Sequence, residues 1–253
     1  MLRFLSVRLI MFISNGVPVN FYKILILVGN LSGCLIFASM VNAGERSDLD
    51  GVWNLVYESA RDSVLSGTPP IIMTREGAEK NAAYDFLQDD PLMRCIPPSI
   101  SRVMLTPSPL FEIRQHEAYV EINYEFMDVK RRIPLDAALD LPNAPLSVPE
   151  YPHLGRSVGR YEGEELVIET MDIGEGVFST HVLVGYYQSD EMKTTERFIP
   201  DGDLLEVRIT HVDPVYYEEP FDIVYRHHRT ESPLLHWGCE PEKACVDPRL
   251  CSP

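Results

Sequence analysis

Ala118-Tyr119-Val120-Glu121-Ile122-Asn123-Tyr124-Glu125-Phe126 alternates without a break, with Ala118, Val120, Ile122, Tyr124 and Phe126 on one face and the polar residues and Tyr119 on the other. Successive side chains of an extended chain point to opposite sides, so a period of two with one apolar face marks a strand packed against a core on that side alone. Leu205, Val207, Ile209 and His211 alternate with Glu206, Arg208 and Thr210 in the same manner. Strand-like runs recur at 51–57, 110–115, 128–134, 156–161, 165–171, 177–187, 192–199 and 221–229. Glu162-Gly163 and Asp201-Gly202 stand between pairs of these runs, where a hairpin needs residues tolerant of positive φ.

About nine or ten strands joined by short turns imply an all-β fold, an antiparallel up-and-down barrel, because a long meander curls on itself to remove its edges. A two-sheet sandwich is the competing architecture. The pattern predicts a single short helix near the N-terminus of the domain, over 74–85 with Thr74 as its N-cap. Residues 89–109 hold five prolines and Cys95 and read as an irregular covering segment, with 102–105 pairing briefly as a strand. The proline-rich stretch 137–152 is expected to cover one mouth of the barrel.

The charge pattern speaks to compartment. The first 43 residues contain no Asp or Glu and only Arg3, Arg8 and Lys23 as cations. Of the 22 basic residues, 19 therefore stand against all 38 acidic ones in 44–253, a formal charge of −19. Such a domain repels nucleic acid and anionic headgroups. Lys23, the apolar run 24–41 and Val41-Asn42-Ala43 before Gly44 have the charged, apolar and small-residue order of a signal peptide over 1–43, leaving 44–253 as one domain with a cysteine-containing tail. An uncleaved anchor, or acylation at Leu31-Ser32-Gly33-Cys34, is the alternative and the only expected route to a membrane. The expected location is periplasmic or secreted.

Removal of 1–43 leaves Cys95, Cys239, Cys245 and Cys251, an even number that favours two disulfides in an oxidising compartment. Three pairings are open. A small Cys245–Cys251 terminal loop is one choice, and it leaves Cys95 to hold the C-terminal strand through Cys239. A zinc site of four thiolates lacks the Cys-x-x-Cys spacing such sites show.

The segments Asp90-Pro91-Leu92-Met93-Arg94-Cys95-Ile96-Pro97-Pro98, Gly155-Arg156-Ser157-Val158-Gly159-Arg160-Tyr161-Glu162-Gly163 and Thr195-Glu196-Arg197-Phe198 resemble a broad group of bacterial secreted proteins without assigned chemistry. The likeness covers about 51–239 and implies a lipocalin-like, or more generally calycin-like, barrel. The group's glycine-rich strand reads Gly-His-Ser-Val-Gly-Arg-Trp-Glu-Gly; here Arg156 takes the His place and Tyr161 the Trp place. Glu169-Thr170 also replaces the usual Asp-Thr, so any chemistry of that His does not transfer to Arg156.

Alternation also sorts the polar residues. Glu196 shares a face with Met192 and Phe198, His211 with Leu205, Val207 and Ile209, and His227 with Phe221, Ile223 and Tyr225. If these faces line the interior, a carboxylate and two imidazoles project into it, and burial tunes such groups toward proton exchange near neutral pH. Glu196 and His211 are the candidate catalytic pair. Arg160 and Arg197 are candidates for balancing the carboxylate or gripping a ligand, and Tyr225 and His227 for lining a binding site. Hydrogen-bonded struts are the plainer reading of each. A metal site of His181, His211, His227 and Glu196 lacks the histidine spacing that makes such sites recognisable, and neither metal nor cofactor is expected. No nucleophile elbow, zinc-protease helix, phosphate loop or dinucleotide fingerprint occurs. The expected function is binding of a small, largely apolar molecule inside the barrel. The rivals are an enzyme catalysing acid/base isomerisation, cyclisation or hydration of such a molecule, and an envelope structural or interaction protein.

Overall fold

The computed structural model describes residues 46–56, 71–104, 110–136, 138–181 and 184–239. All belong to the compact unit Ala43–Pro253. The expected leader, its alternatives and Cys245 and Cys251 lie outside them. Eleven strands are present among the described residues: β1 (Gly51–Leu55), β2 (Phe111–Gln115), β3 (Tyr119–Tyr124), β4 (Lys130–Pro134), β5 (Arg156–Glu162), β6 (Glu165–Met171), β7 (Gly176–His181), β8 (Val184–Gln188), β9 (Lys193–Asp201), β10 (Leu204–Val212) and β11 (Phe221–Thr230).

Nine of them form one antiparallel sheet in the order β4-β3-β2-β1-β11-β10-β9-β6-β5, and β7 and β8 pair separately as a hairpin. The last strand pairs with the first, with Leu55 opposite His227 and Trp53 opposite Arg229, so the sheet curls into a nearly closed barrel whose order follows the chain. Alternation builds it as expected. Val120, Ile122 and Tyr124 of β3 and Leu205, Val207, Ile209 and His211 of β10 are buried, while their neighbours are not. Gly163 and Gly202 occupy hairpin turns with φ of 65° and 62°.

An odd number of alternating strands cannot close with every neighbour antiparallel, so the edge strands β4 and β5 run the same way. Unpaired backbone groups along such a seam need partners. The loop after β4 supplies them: Arg132 N–H donates to Ser147 O (2.9 Å), Ser147 N–H to Gly155 O (3.0 Å), and Leu146 bridges Arg156. The stretch expected to cover a mouth therefore runs largely along the seam. Gly159 of β5 completes the closure, since a Cβ there would lie 3.0 Å from Leu135 Cδ2 and 3.1 Å from Ile133 Cγ2.

The expected N-terminal helix is present, and two one-turn α-helices accompany it among the described residues. Helix α1 (Arg75–Ala82) is capped by Thr74, whose Oγ1 accepts from Gly77 N–H at 3.1 Å. The chain then turns, and Asp85 caps the one-turn helix α2 (Phe86–Asp89). The brief strand expected at 102–105 is instead helix α3 (Ile100–Val103), closed by hydrogen bonds from Arg102 and Val103 N–H to Ser99 O. Its cause is tertiary, because Arg102 turns inward to a buried bidentate pair with Asp90 (3.0 and 2.9 Å). The run expected as one strand at 177–187 is split into the β7–β8 hairpin, which rests on α1 with Asn81 Nδ2 donating to Gly185 O at 2.7 Å. After β11 the chain crosses the outside of the barrel, with Trp237 edge-on to Phe126, and Cys239 is bonded to Cys95. No helix among the described residues is long and apolar enough to cross a membrane.

Branched methyls at the seam have no space to enter. Gly159→Val is expected to lower the free energy of unfolding by about 1–3 kcal/mol. An unchanged urea midpoint would show that β4 and β5 are not packed there.

Candidate functional site in the barrel interior

Register places Ser157, Thr170, Thr194, His211 and Phe221 opposite one another in one row across β5, β6, β9, β10 and β11. Ser157 and Thr170 share a hydrogen bond between hydroxyls at 2.8 Å, and the His211 ring stacks on Phe221 with centroids 4.8 Å apart. One row deeper, Glu196 lies between Ile168 and Ile209. Arg131 of β4 reaches it with two parallel bonds, Nη1 to Oε1 at 2.9 Å and Nη2 to Oε2 at 2.7 Å. The same guanidinium donates to the Tyr124 hydroxyl at 3.1 Å and to Ser157 Oγ at 3.4 Å.

Both side chains of this pair are fully buried. Burial works against the charged guanidinium of Arg131, but the Glu196 carboxylate, with Tyr124 adding, outweighs it and the net shift is upward. Burial raises the Tyr124 phenol well above its ordinary range, partly offset by Arg131. With both oxygens committed to Arg131, Glu196 is placed as the counter-ion of a buried cation. Such a pair gives little net stability, yet removing one partner strands a charge in a low-dielectric interior.

The two interior histidines are neutral at neutral pH. Burial pushes His211 down to about 4, against small opposing effects of the Phe221 and Ile209 backbone and of Asp222. Burial also pushes His227 down to about 3, resisted by the Leu205 backbone and helped by His228. His227 stands edge-on to Phe111 at 4.9 Å, and neither of its ring nitrogens makes a well-formed hydrogen bond among the described residues, the Leu205 backbone offering the ring only a looser polar contact. Thr194 Oγ1 and Arg131 Nε are likewise buried and unpartnered there. Each such group costs about 1–3 kcal/mol relative to a satisfied one.

Helix α3 enters this interior from one end. All four of its residues are buried, and Ile100 and Val103 join the hydrophobic core. Ser101 Oγ lies 2.6 Å from His211 Nε2, and the Tyr225 hydroxyl donates to Ser101 O at 2.9 Å. Phe111, Ile122, Phe198, Val207, Ile209, His211 and His227 have no accessible surface, so no water-sized void touches them. The lumen is filled, in part by the chain's own helix.

The structure thus brings Glu196, His211, His227 and Tyr225 into one interior, as alternation implies. Arg160 and Arg197 are elsewhere. Both lie on the outer face, partly exposed, Arg160 paired with Glu162 and Glu169 and Arg197 with Glu162 and Glu165. Their strand neighbours Ser157, Gly159 and Glu196 point inward, so period two sends both arginines out, and Arg131 balances the carboxylate instead. Its inward position was available from Val129 and Ile133 on the same parity, but Lys130-Arg131-Arg132 reads as a solvated cationic run. Ser101 and the Asp90–Arg102 pair carried no sequence signal. Among the described residues no group of three or more His, Cys, Asp or Glu side chains is arranged to hold a metal ion. A groove along β2 to β4 is lined by charged residues including Glu112, Arg114, Glu121 and Arg132, with Leu234 and Leu235 of the chain after β11 beside them. Comparison of the chain with protein-family models, with curated proteins and with solved structures finds no match.

Removing one member of the buried pair is expected to cost much more than removing both. Arg131→Met should lower stability by about 3–5 kcal/mol, whereas Arg131→Met with Glu196→Met should recover most of that loss. Equal losses in urea denaturation would mean that the charges are not desolvated as described.

The histidines set a pH dependence whose sign is fixed. An unfolded histidine takes up its proton near 6.5, the folded ones only near 4 and 3. Between those values the unfolded chain binds more protons, so stability is full above pH 6.5 and falls as pH drops, by up to about 1.4 kcal/mol per pH unit for each histidine. His227→Leu should flatten the fall between pH 6.5 and 4.5 by about one histidine's slope. Parallel stability curves for variant and parent would contradict the burial of a neutral imidazole.

Proposed function

We propose that this chain is an exported barrel that binds a small, largely apolar molecule in its interior, with the polar end of the molecule met by the buried polar residues. The observation that carries the reading is the set of interior donors and acceptors without a well-formed hydrogen bond among the described residues, namely Thr194 Oγ1, Arg131 Nε and both nitrogens of His227. A barrel serving only as a scaffold gains nothing from placing an ion pair, two neutral imidazoles and a row of hydroxyls where leucines pack better. A binding site does gain, since apolar walls hold the body of a ligand and a few fixed polar groups orient it. Phe198, Val207, Ile209 and Ile223 are such walls. The Cys95–Cys239 bond and the 38 acidic residues agree with export and with a ligand that is not an anionic polymer.

One observation favours a second reading, acid/base catalysis on the same kind of molecule. His211 is uncharged at neutral pH and within hydrogen-bonding distance of a hydroxyl, so its ring is free of a competing proton, while burial makes it a weaker base than an exposed imidazole. Glu196 is held there by two bonds to Arg131.

Native mass spectrometry of the protein purified from its own host is expected to show a retained small molecule. Thr194→Val and His227→Leu should each reduce the retained fraction severalfold without loss of the fold. A bare protein mass under gentle ionisation, together with an empty organic extract, would overturn the reading and leave a filled structural barrel.

A further inference from the structure

Helix α3 occupies the interior by making the contacts a ligand would make. Its Ser101 offers a hydroxyl to His211 Nε2 at 2.6 Å and a carbonyl to the Tyr225 hydroxyl at 2.9 Å. Its apolar residues Ile100 and Val103 fill space against the core. Three restraints outside the lumen hold the helix there: the buried Asp90–Arg102 pair, the hydrogen bond between His153 Nε2 and Pro97 O, and the disulfide that ties Cys95 to Cys239 beyond β11. We infer that α3 is an internal competitor for the barrel's ligand, that the ligand carries a hydroxyl beside a carbonyl on an apolar body, and that the Cys95–Cys239 tether sets how strongly the plug competes. This rests on the reading that the interior binds a ligand.

The argument is one of matched chemistry and of mass action. Ser101 of the covering segment meets two interior groups at once, His211 and Tyr225, through two different atoms. An uncharged ligand that reproduces both atoms replaces them without leaving an imidazole or a phenol unsatisfied. A ligand offering only one gives up the contact that Ser101 makes with the other, so the pair of groups reads the pair of functions. A plug held in the same chain acts at high effective concentration, and every restraint on its freedom raises that concentration. The apparent dissociation constant is the intrinsic one divided by the fraction of molecules whose plug is out. Cutting the cross-link, which leaves Ser101, His211 and Tyr225 unchanged, therefore tightens apparent binding without altering the groups that meet the ligand.

A probe of the stated chemistry is 3-hydroxyflavone, an apolar fluorophore with adjacent hydroxyl and carbonyl, and flavone is its control without the hydroxyl. Fluorescence titration of the oxidised protein is expected to give weak binding of 3-hydroxyflavone and weaker binding of flavone. Ser101→Ala loosens the plug and leaves the site, and should tighten binding severalfold. Cys95→Ser with Cys239→Ser should tighten it about tenfold or more. If the double cysteine variant does not fold, hydrogen exchange on the parent protein decides, since addition of 3-hydroxyflavone should expose the amides of Arg102 and Val103 that now donate to Ser99 O. Equal affinity in parent and Ser101→Ala, or greater protection of those amides on binding, overturns the competitor and leaves the binding reading standing. No binding of 3-hydroxyflavone by any form overturns the ligand class, whatever the protein from its host retains. A host-purified protein that is empty as well overturns the binding reading itself.

Discussion

Charge placed inside a β-barrel must be satisfied inside, because water is excluded and the low dielectric makes every unpaired polar atom costly. The Arg131–Glu196 pair meets that constraint, and the arrangement around it follows. Two edge strands running in the same direction bring β4 beside β5, so Arg131 can cross to β9 and touch Ser157 on the way. Tyr124 accepts a further bond from Nη1, and the row of Ser157, Thr170, Thr194 and His211 lies directly against the pair. Where the constraint is left unmet, at His227 and Thr194, the molecule carries a standing cost that folding alone does not explain.

The barrel was legible in the sequence wherever one face of a strand is greasy and the other wet. Residues 118–126, 204–212 and 221–230 show their alternation plainly, and Glu162-Gly163 and Asp201-Gly202 mark turns at the positions where glycine takes positive φ. The parity that put Glu196, His211, His227 and Tyr225 inward is a local property of an extended chain, and for that reason it was readable. The same parity sends Arg160 and Arg197 outward, and their placement at the site followed chemical type where geometry decides. Arg131 was hidden by its cationic neighbours, although Val129 and Ile133 share its face.

What no local pattern encodes is tertiary. Helix α3 forms among prolines because Arg102 finds Asp90 and Ser101 finds His211, contacts that span 12 and 110 residues of chain. The course of the loop before β5 is set by the unpaired backbone of β4, a demand that appears only once the strand count is odd. Both features lie on the segments the sequence presents as irregular. The cross-link between Cys95 and Cys239 joins the covering segment to the chain leaving β11.

The most direct measurement is an NMR titration that follows the ring nitrogens of His211 while a lipid extract of the host envelope is added to the folded protein. Replacement of the Ser101 hydroxyl by a ligand group should move the His211 Nε2 resonance and leave the imidazole neutral. Saturable binding of an extract component with both His211 nitrogens unmoved would contradict an interior site, and would return the buried polar groups to the status of struts in a filled barrel.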